Sequence, residues 1–243
     1  MILEIAANSV ASALAAQEGG VGRVELCTAL ELGGLTPSHA QIALAREHLR
    51  IPLYVLIRPR AGDFLCSDIE CEVMLRDIEA CVALGCDGVV LGALDADGEV
   101  DMPRCRALVS AAGNVGVTFH RAFDLTRDPL SSLGDLIELG CERVLTSGGR
   151  PTAIEGAELI RQLVELSTGR IVVMPGAGVD AGNIGKLREK TGANEFHASA
   201  KRQHLSGMRW QPSLLTDMQG GELRSDVEQI RGILVALSDA GRG

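Results

Sequence analysis

Apolar residues along this chain fall into two alternating rhythms. Short runs, either period-two or unbroken, lie near residues 2–6, 22–27, 52–58, 87–92, 115–120, 142–147, 170–174 and 194–199. They read as strands, whose side chains alternate between two faces. Between them, apolar residues recur at spacings of three and four near 8–18, 38–48, 68–84, 101–112, 129–139, 153–167, 180–190 and 225–240. These stretches read as helices. Asp68 is placed to cap the third helix and Gly85 to end it. Regular strand–helix alternation predicts a parallel sheet, and eight units predict closure into one α/β domain, a (β/α)8 TIM barrel over residues 1–243. A doubly wound open sheet is the alternative. No Gly-x-Gly-x-x-Gly follows the first strand, so no nucleotide cofactor is expected. The connection at about 201–225 is long and holds Gly207, Trp210, Pro212, Gly220 and Gly221. It reads as a lid, an oligomer contact or a mobile loop, with Trp210 covering one barrel end as the plainer alternative.

The polar residues that interrupt the strands share a face. In Gly116-Val-Thr-Phe-His-Arg-Ala-Phe-Asp124, Thr118 and His120 lie on one face and Val117 and Phe119 on the other. The same parity groups Glu25 with Cys27, Tyr54 with Leu56 and Arg58, and Glu195 with His197 and Ser199, while Glu4 interrupts the first strand. The opposite faces are apolar, as helix packing requires, so the polar set points into the barrel or its mouth. Glu4, Glu25 and Glu195 then oppose the single fixed cation Arg58, leaving two negative charges uncompensated. Unpaired buried carboxylates cost several kcal/mol. Compensation could come from Arg60 or Arg121 folding inward, a protonated carboxyl, protonated histidines or a bound cation. A structural ion-pair network is the plain alternative for Glu4 and Glu195. His120 and His197, with Glu25 and Glu195, are the candidates for general acid–base catalysis.

Two glycine-rich turns and an arginine loop add anion-binding candidates. Thr146-Ser-Gly-Gly149 ends the sixth strand and Met174-Pro-Gly-Ala-Gly178 the seventh, which offers Gly148, Gly149, Gly176 and Gly178 as backbone donors. Tight βα turns also need glycine for their own geometry. The loop from Arg58 to Phe64 brings Arg60 to the same end as Arg58, and Arg121 follows the fifth strand. Guanidinium forks suit carboxylates and phosphates. In the alternative arrangement Arg58 pairs with Glu25 and Arg60 is solvated.

Composition narrows the partners. Net charge is −9, which argues against a nucleic-acid surface. Apolar residues are 46% and aromatics 2%, so aliphatic side chains must fill the core. The lysines are Lys186, Lys190 and Lys201, none inside an expected strand, which leaves Lys201 as the one to consider for Schiff-base chemistry. The N-terminus begins directly as a strand and no apolar run spans a bilayer, so a cytoplasmic protein with no membrane partner is expected. The seven cysteines lack a secreted-framework spacing and read as reduced thiols. No zinc spacing occurs. Cys81 and Cys86, five residues apart, would lie about 140° apart on a helix. Cys27, inward beside Glu25, is a soft candidate for Cu(I).

The runs Gly22–Cys27, Gly33–Ser38, Ile57–Phe64, Thr118–Asp124, Leu145–Gly149 and Met174–Val179 are similar in order and spacing to the CutC family, from about residue 2 to 200. The resemblance implies a cytoplasmic TIM barrel, a homo-oligomer (dimer or tetramer), copper homeostasis and Cu(I) binding. Carried onto this chain, the copper site falls on Cys27. Cys66 stands where the family has an aromatic residue. The residues themselves leave a different function open: an enzyme for a small phosphate or carboxylate metabolite, with a divalent ion on Glu and His as a further option.

Overall fold

A computed structural model describes residues 1–210, 214 and 220–239. Eight parallel strands form a nearly closed barrel: β1 (Ile2–Ala7), β2 (Arg23–Leu26), β3 (Leu53–Leu56), β4 (Gly88–Leu91), β5 (Gly116–Phe119), β6 (Arg143–Thr146), β7 (Val172–Pro175) and β8 (Glu195–Ala198). Neighbours pair in chain order and β1 also pairs with β8, while β7 and β8 lie side by side without a paired register. Around them run α1 (Val10–Gly19), α2 (His39–His48), α3 (Asp68–Ala83), α4 (Met102–Ala112), α5 (Pro129–Leu139), α6 (Ala157–Ser167), α7 (Ile184–Thr191) and α8 (Val227–Asp239). The expected TIM-barrel fold is the observed one. No described helix is long and apolar enough to cross a membrane.

The main core is the shell between sheet and helices. Residues such as Ile5, Val24, Val55, Leu91, Phe119, Val144 and Phe196 are wholly buried there. The interior face is different. Tyr54 fills its width because its neighbours have no side chains: a Cβ on Gly88 would lie 2.2 Å from the Tyr54 ring, and one on Gly116 would lie 2.1 Å from its hydroxyl. A small cluster of Cys27, Tyr54, Leu56 and Val90 is an apolar part of this interior.

Several boundaries move for local reasons. The third helix is capped by Ser67, not Asp68, in a capping box with Glu70; Gly85 follows its end with φ +75°. α6 starts later than expected because the chain at Gly156 presses on the preceding turn, where a Cβ would meet Ser147 O at 1.9 Å. α7 starts late because Asp180 folds a turn, accepting from the Gly182 amide at 2.8 Å. The long connection contains an antiparallel hairpin, β9 (Lys201–His204) with β10 (Glu222–Ser225). Trp210 is 76% exposed, so it does not cover a barrel end. Pro212 lies outside the described residues.

Candidate functional site

The lower barrel interior is an ion-pair network. Arg23 donates through Nε to Glu4 and through a terminal nitrogen to Glu195 Oε2 at 2.7 Å. Arg143 donates through Nε to the same Glu195 oxygen at 2.7 Å, and through a terminal nitrogen to Glu142 at 2.8 Å and Thr118 at 3.1 Å. Both guanidinium groups lie over the Tyr54 ring, at 5.3 and 5.4 Å, and the Tyr54 hydroxyl donates to Glu142. Strand register builds this layer, because Glu4 pairs with Arg23 on one side and with His197 on the other. Arg23 and Arg143 supply the positive charge that the sequence reading could not find. With Arg58 they balance the three inward carboxylates. Arg60 and Arg121 do not fold in to do so.

One layer higher, Glu4, His197 and Glu25 connect the network to the mouth. His197 Nδ1 lies 2.7 Å from Glu4 Oε1 and 3.6 Å from Glu25 Oε2. Burial works against a charged Glu4, but His197 and Arg23 more than offset it and hold the carboxyl at about 2. Burial also works against a charged His197; Glu4 and Glu25 raise it nonetheless. Glu25 goes the other way. Burial and the Glu4 charge push it up to about 7, against the pull of His197 and Arg23, and its Oε2 has no hydrogen-bond partner. Two carboxyls in one layer are thus driven apart, one always ionised and one poised near neutrality.

A cavity of about 320 Å³ opens above them at the C-terminal ends of the strands, lined by Glu25, His197, Arg58, Phe64, His120 and Arg121 among others. This is where barrel sites lie. Arg58 is held by carbonyls, not by Glu25: its terminal nitrogens donate to Leu32 O (2.9 Å), Gly34 O (3.0 Å) and Gly62 O (2.8 Å). Its Nε is buried and unpartnered. β5 stops at Phe119, and His120 caps the short 3-10 turn Arg121–Leu125, accepting from the Ala122 amide through Nδ1 at 3.2 Å. Burial, then the Arg58 charge, pulls His120 down to about 3. The imidazole that meets carboxyls in this layer is His197, beside Glu4 and Glu25.

The remaining sequence candidates divide. Glu195 belongs to the ion network and does not line the cavity. Arg60 turns to Asp63 and Glu70. Arg121 lines the cavity while paired to Asp124 at 2.8 Å and to Ser147 Oγ at 2.8 Å. The Gly148–Gly149 turn is already filled by the chain's own anion: the Ser147 and Gly149 amides donate to Asp124, and the Gly148 amide to Thr146 Oγ1. Gly176 donates to Thr146 O, whereas Gly178 lines the cavity. Cys27 also lines it, 1% exposed, with burial first and then Glu25 raising its thiol. Cys86 lies beyond the helix end, where Gly85 turns it back beside Cys81, so the helical angle expected between them does not apply.

Arg23 and Arg143 were missed although strand parity groups Arg23 with Glu25 and Arg143 with Leu145. Both stand at the N-terminal ends of their strands, away from the mouth. Phe64 was visible only as the last residue of the arginine loop.

A model described as the CutC family matches residues 1–202. A CutC family protein of Xylella fastidiosa (strain Temecula1) is 59% identical over 236 residues, 97% of this chain and 88% of the relative. A mouse protein named copper homeostasis protein cutC homolog is 48% identical over 87% of this chain and 78% of its own length. The solved CutC structure from Streptococcus agalactiae superposes with TM-score 0.78 at 35% identity, covering 81% of this chain and 98% of that one.

Proposed function

The chain belongs to the CutC family, and we propose that its barrel mouth serves as a site for a small anionic metabolite, with acid–base chemistry at Glu25 and His197. The observation that carries this reading is Glu25. A buried carboxyl with a free oxygen, held near neutrality, lines a cavity whose Arg58 has no carboxylate partner among the described residues. A perturbed group facing a cavity is a functional signal. Arg58 and Arg121 attract the anion, Gly178 borders it, and His197 relays a proton between Glu25 and the cavity. A thermal-shift screen of phosphorylated and carboxylated metabolites tests it. Matched ligands raise Tm by several degrees in the wild type, and Arg58→Ala abolishes the shift. A broad screen with no shift would sink the reading.

A second reading rests on Glu4, Glu25 and His197, whose ligand atoms all lie within 4.8 Å of one another. Carboxylates and imidazole suit a hard or borderline divalent ion. Copper homeostasis, which the names of the mouse relative and the Streptococcus structure suggest, would need something else. Cu(I) prefers soft donors. Cys27 is one thiol, kept protonated by burial, among Tyr54, Leu56, Val90 and Leu30. These residues do not fit a tight Cu(I) site at the mouth. Calorimetry with Mn²⁺ and with Cu(I) separates the cases. Mn²⁺ binding lost in Glu25→Gln supports the hard-ion site. Stoichiometric Cu(I) binding lost in Cys27→Ser would restore copper.

A further inference from the structure

Two hydrogen-bond donors in the mouth have no acceptor. His120 is 5% exposed and its Nε2 is unpartnered; Arg58 is 9% exposed and its Nε is unpartnered. Both side chains line the same cavity, and each is close enough to Arg58's neighbour Phe64 to touch it. The His120 ring centroid is 4.8 Å from that of Phe64, and the Arg58 guanidinium lies 4.9 Å over the same ring. Leaving a donor unsatisfied in a buried position costs about 1–3 kcal/mol. A fold that does so twice around one cavity, against one phenyl ring, has two N–H groups suited to a ligand.

The donors are also preset. Nδ1 of His120 accepts from the Ala122 amide. A neutral ring therefore carries its proton on Nε2, the atom without a partner. Gly92 leaves room for the ring, since a Cβ there would lie 2.7 Å from Cε1 and 2.8 Å from Nδ1. Three carbonyls hold the terminal nitrogens of Arg58 in place, and Nε is its one nitrogen with no partner.

We propose that Arg58 Nε–H and His120 Nε2–H form a receptor for two neighbouring oxygens of a planar ligand group, a carboxylate bearing a carbonyl or hydroxyl oxygen on its α-carbon, with Phe64 as the ring the ligand pushes aside. The inference rests on the metabolite reading of the mouth and names its substrate class: small 2-oxo or 2-hydroxy acids. His120 then touches the ligand as a fixed donor that polarises an oxygen, and does not carry protons. The charge of Arg58 attracts the carboxylate and, after burial, helps keep His120 neutral.

Oxalate, with inorganic phosphate as comparison, is the probe. In the full-length wild type at pH 7, oxalate makes a His120 Nε2 proton visible and downfield-shifted in the NMR spectrum, with the ring still in its neutral tautomer. Oxalate affinity falls about 10-fold or more in His120→Ala, as expected for a lost hydrogen bond to a charged acceptor. His120→Gln, which keeps a donor, recovers part of it, and Phe64→Ala binds at least as tightly as the wild type. Equal affinity in wild type and His120→Ala overturns the receptor and leaves the anionic-metabolite reading standing. So does tight phosphate binding without oxalate binding, or a His120 ring that becomes protonated in the complex. Absence of binding by either anion overturns both. The spectroscopic readout uses the wild type, so a variant that fails to fold does not shield the proposal.

Discussion

At the scale of single residues, burial sorts three groups of one chemical neighbourhood into different protonation states. Glu4 has Arg23 and His197 against it and stays ionised; Glu25 has the same His197 farther away and the Glu4 charge beside it. Strand parity in the sequence already put Glu25 and His197 inside. It could not rank their pKa values, because those depend on atoms brought in from β1 and β8. The ranking has a consequence for stability. A carboxyl raised from its ordinary value to about 7 is easier to ionise unfolded, so folding weakens as pH rises from about 4.5 through 7, by about 3 kcal/mol for Glu25 alone. His197, raised by its acidic neighbours, adds stability at low pH that is also lost as pH rises through its folded value. Glu4, lowered to about 2, contributes stability present above about 4.5 and lost on acidification through 2. The groups facing Glu25 are Glu4, His197 and Arg23, and their pull on it is included in that balance. Glu25→Gln is therefore expected to raise Tm at pH 8 by more than at pH 5. Thermal melts of both proteins at the two pH values check it, and a uniform or reversed difference would contradict the raised carboxyl.

At the scale of elements, the loops do the positioning. Residues 32–36 wrap Arg58: Leu32 O and Gly34 O accept from its guanidinium, and Thr36 Oγ1 accepts from its amide at 2.9 Å. Gly34 has φ +89°, and a Cβ there would lie 2.6 Å from Leu56 Cδ2. The glycines were legible as turn markers. What they serve was not, because Arg58 lies 24 residues away from Gly34. The Thr146–Gly149 turn teaches the same lesson in reverse. Its glycines read as a ligand cradle, yet Asp124 fills it from a 3-10 turn 22 residues upstream of Thr146. Gly34→Ala should cost about 1–3 kcal/mol through its left-handed backbone and also weaken oxalate binding by displacing Arg58. Gly85→Ala is the matched control. It has φ +75° and nothing within 4 Å of an added Cβ, so it should cost strain without affecting the ligand. Equal oxalate affinity in the two variants would detach the loop from the site.

At the scale of the whole molecule, the barrel is divided along its axis into a charged floor and a mouth that holds the cavity. Eight strands and a TIM barrel were readable from periodicity, since each β/α unit repeats the same two rhythms. The charge balance was not. It depends on Arg23 and Arg143, buried to 4% and 6% exposure, meeting Glu195 from strands far apart in the chain. This division separates stability from binding. Glu195 joins two guanidinium groups through one oxygen, and removing a buried partner from such a network typically costs about 3–5 kcal/mol. Glu195→Gln should therefore lower Tm by roughly 10 °C for a chain of this size. Because Glu195 does not line the cavity, the folded variant should bind oxalate as the wild type does. Arg58→Lys should lose oxalate affinity, since lysine keeps the charge but not the Nε–H in its place, and its ligand-free Tm should also fall because the Leu32, Gly34 and Gly62 carbonyls lose donors. Scanning calorimetry with and without oxalate on both variants reads the two axes together. If Glu195→Gln lost oxalate binding while remaining folded, floor and mouth would be one coupled site, and the assignment of Glu195 to the scaffold would fall.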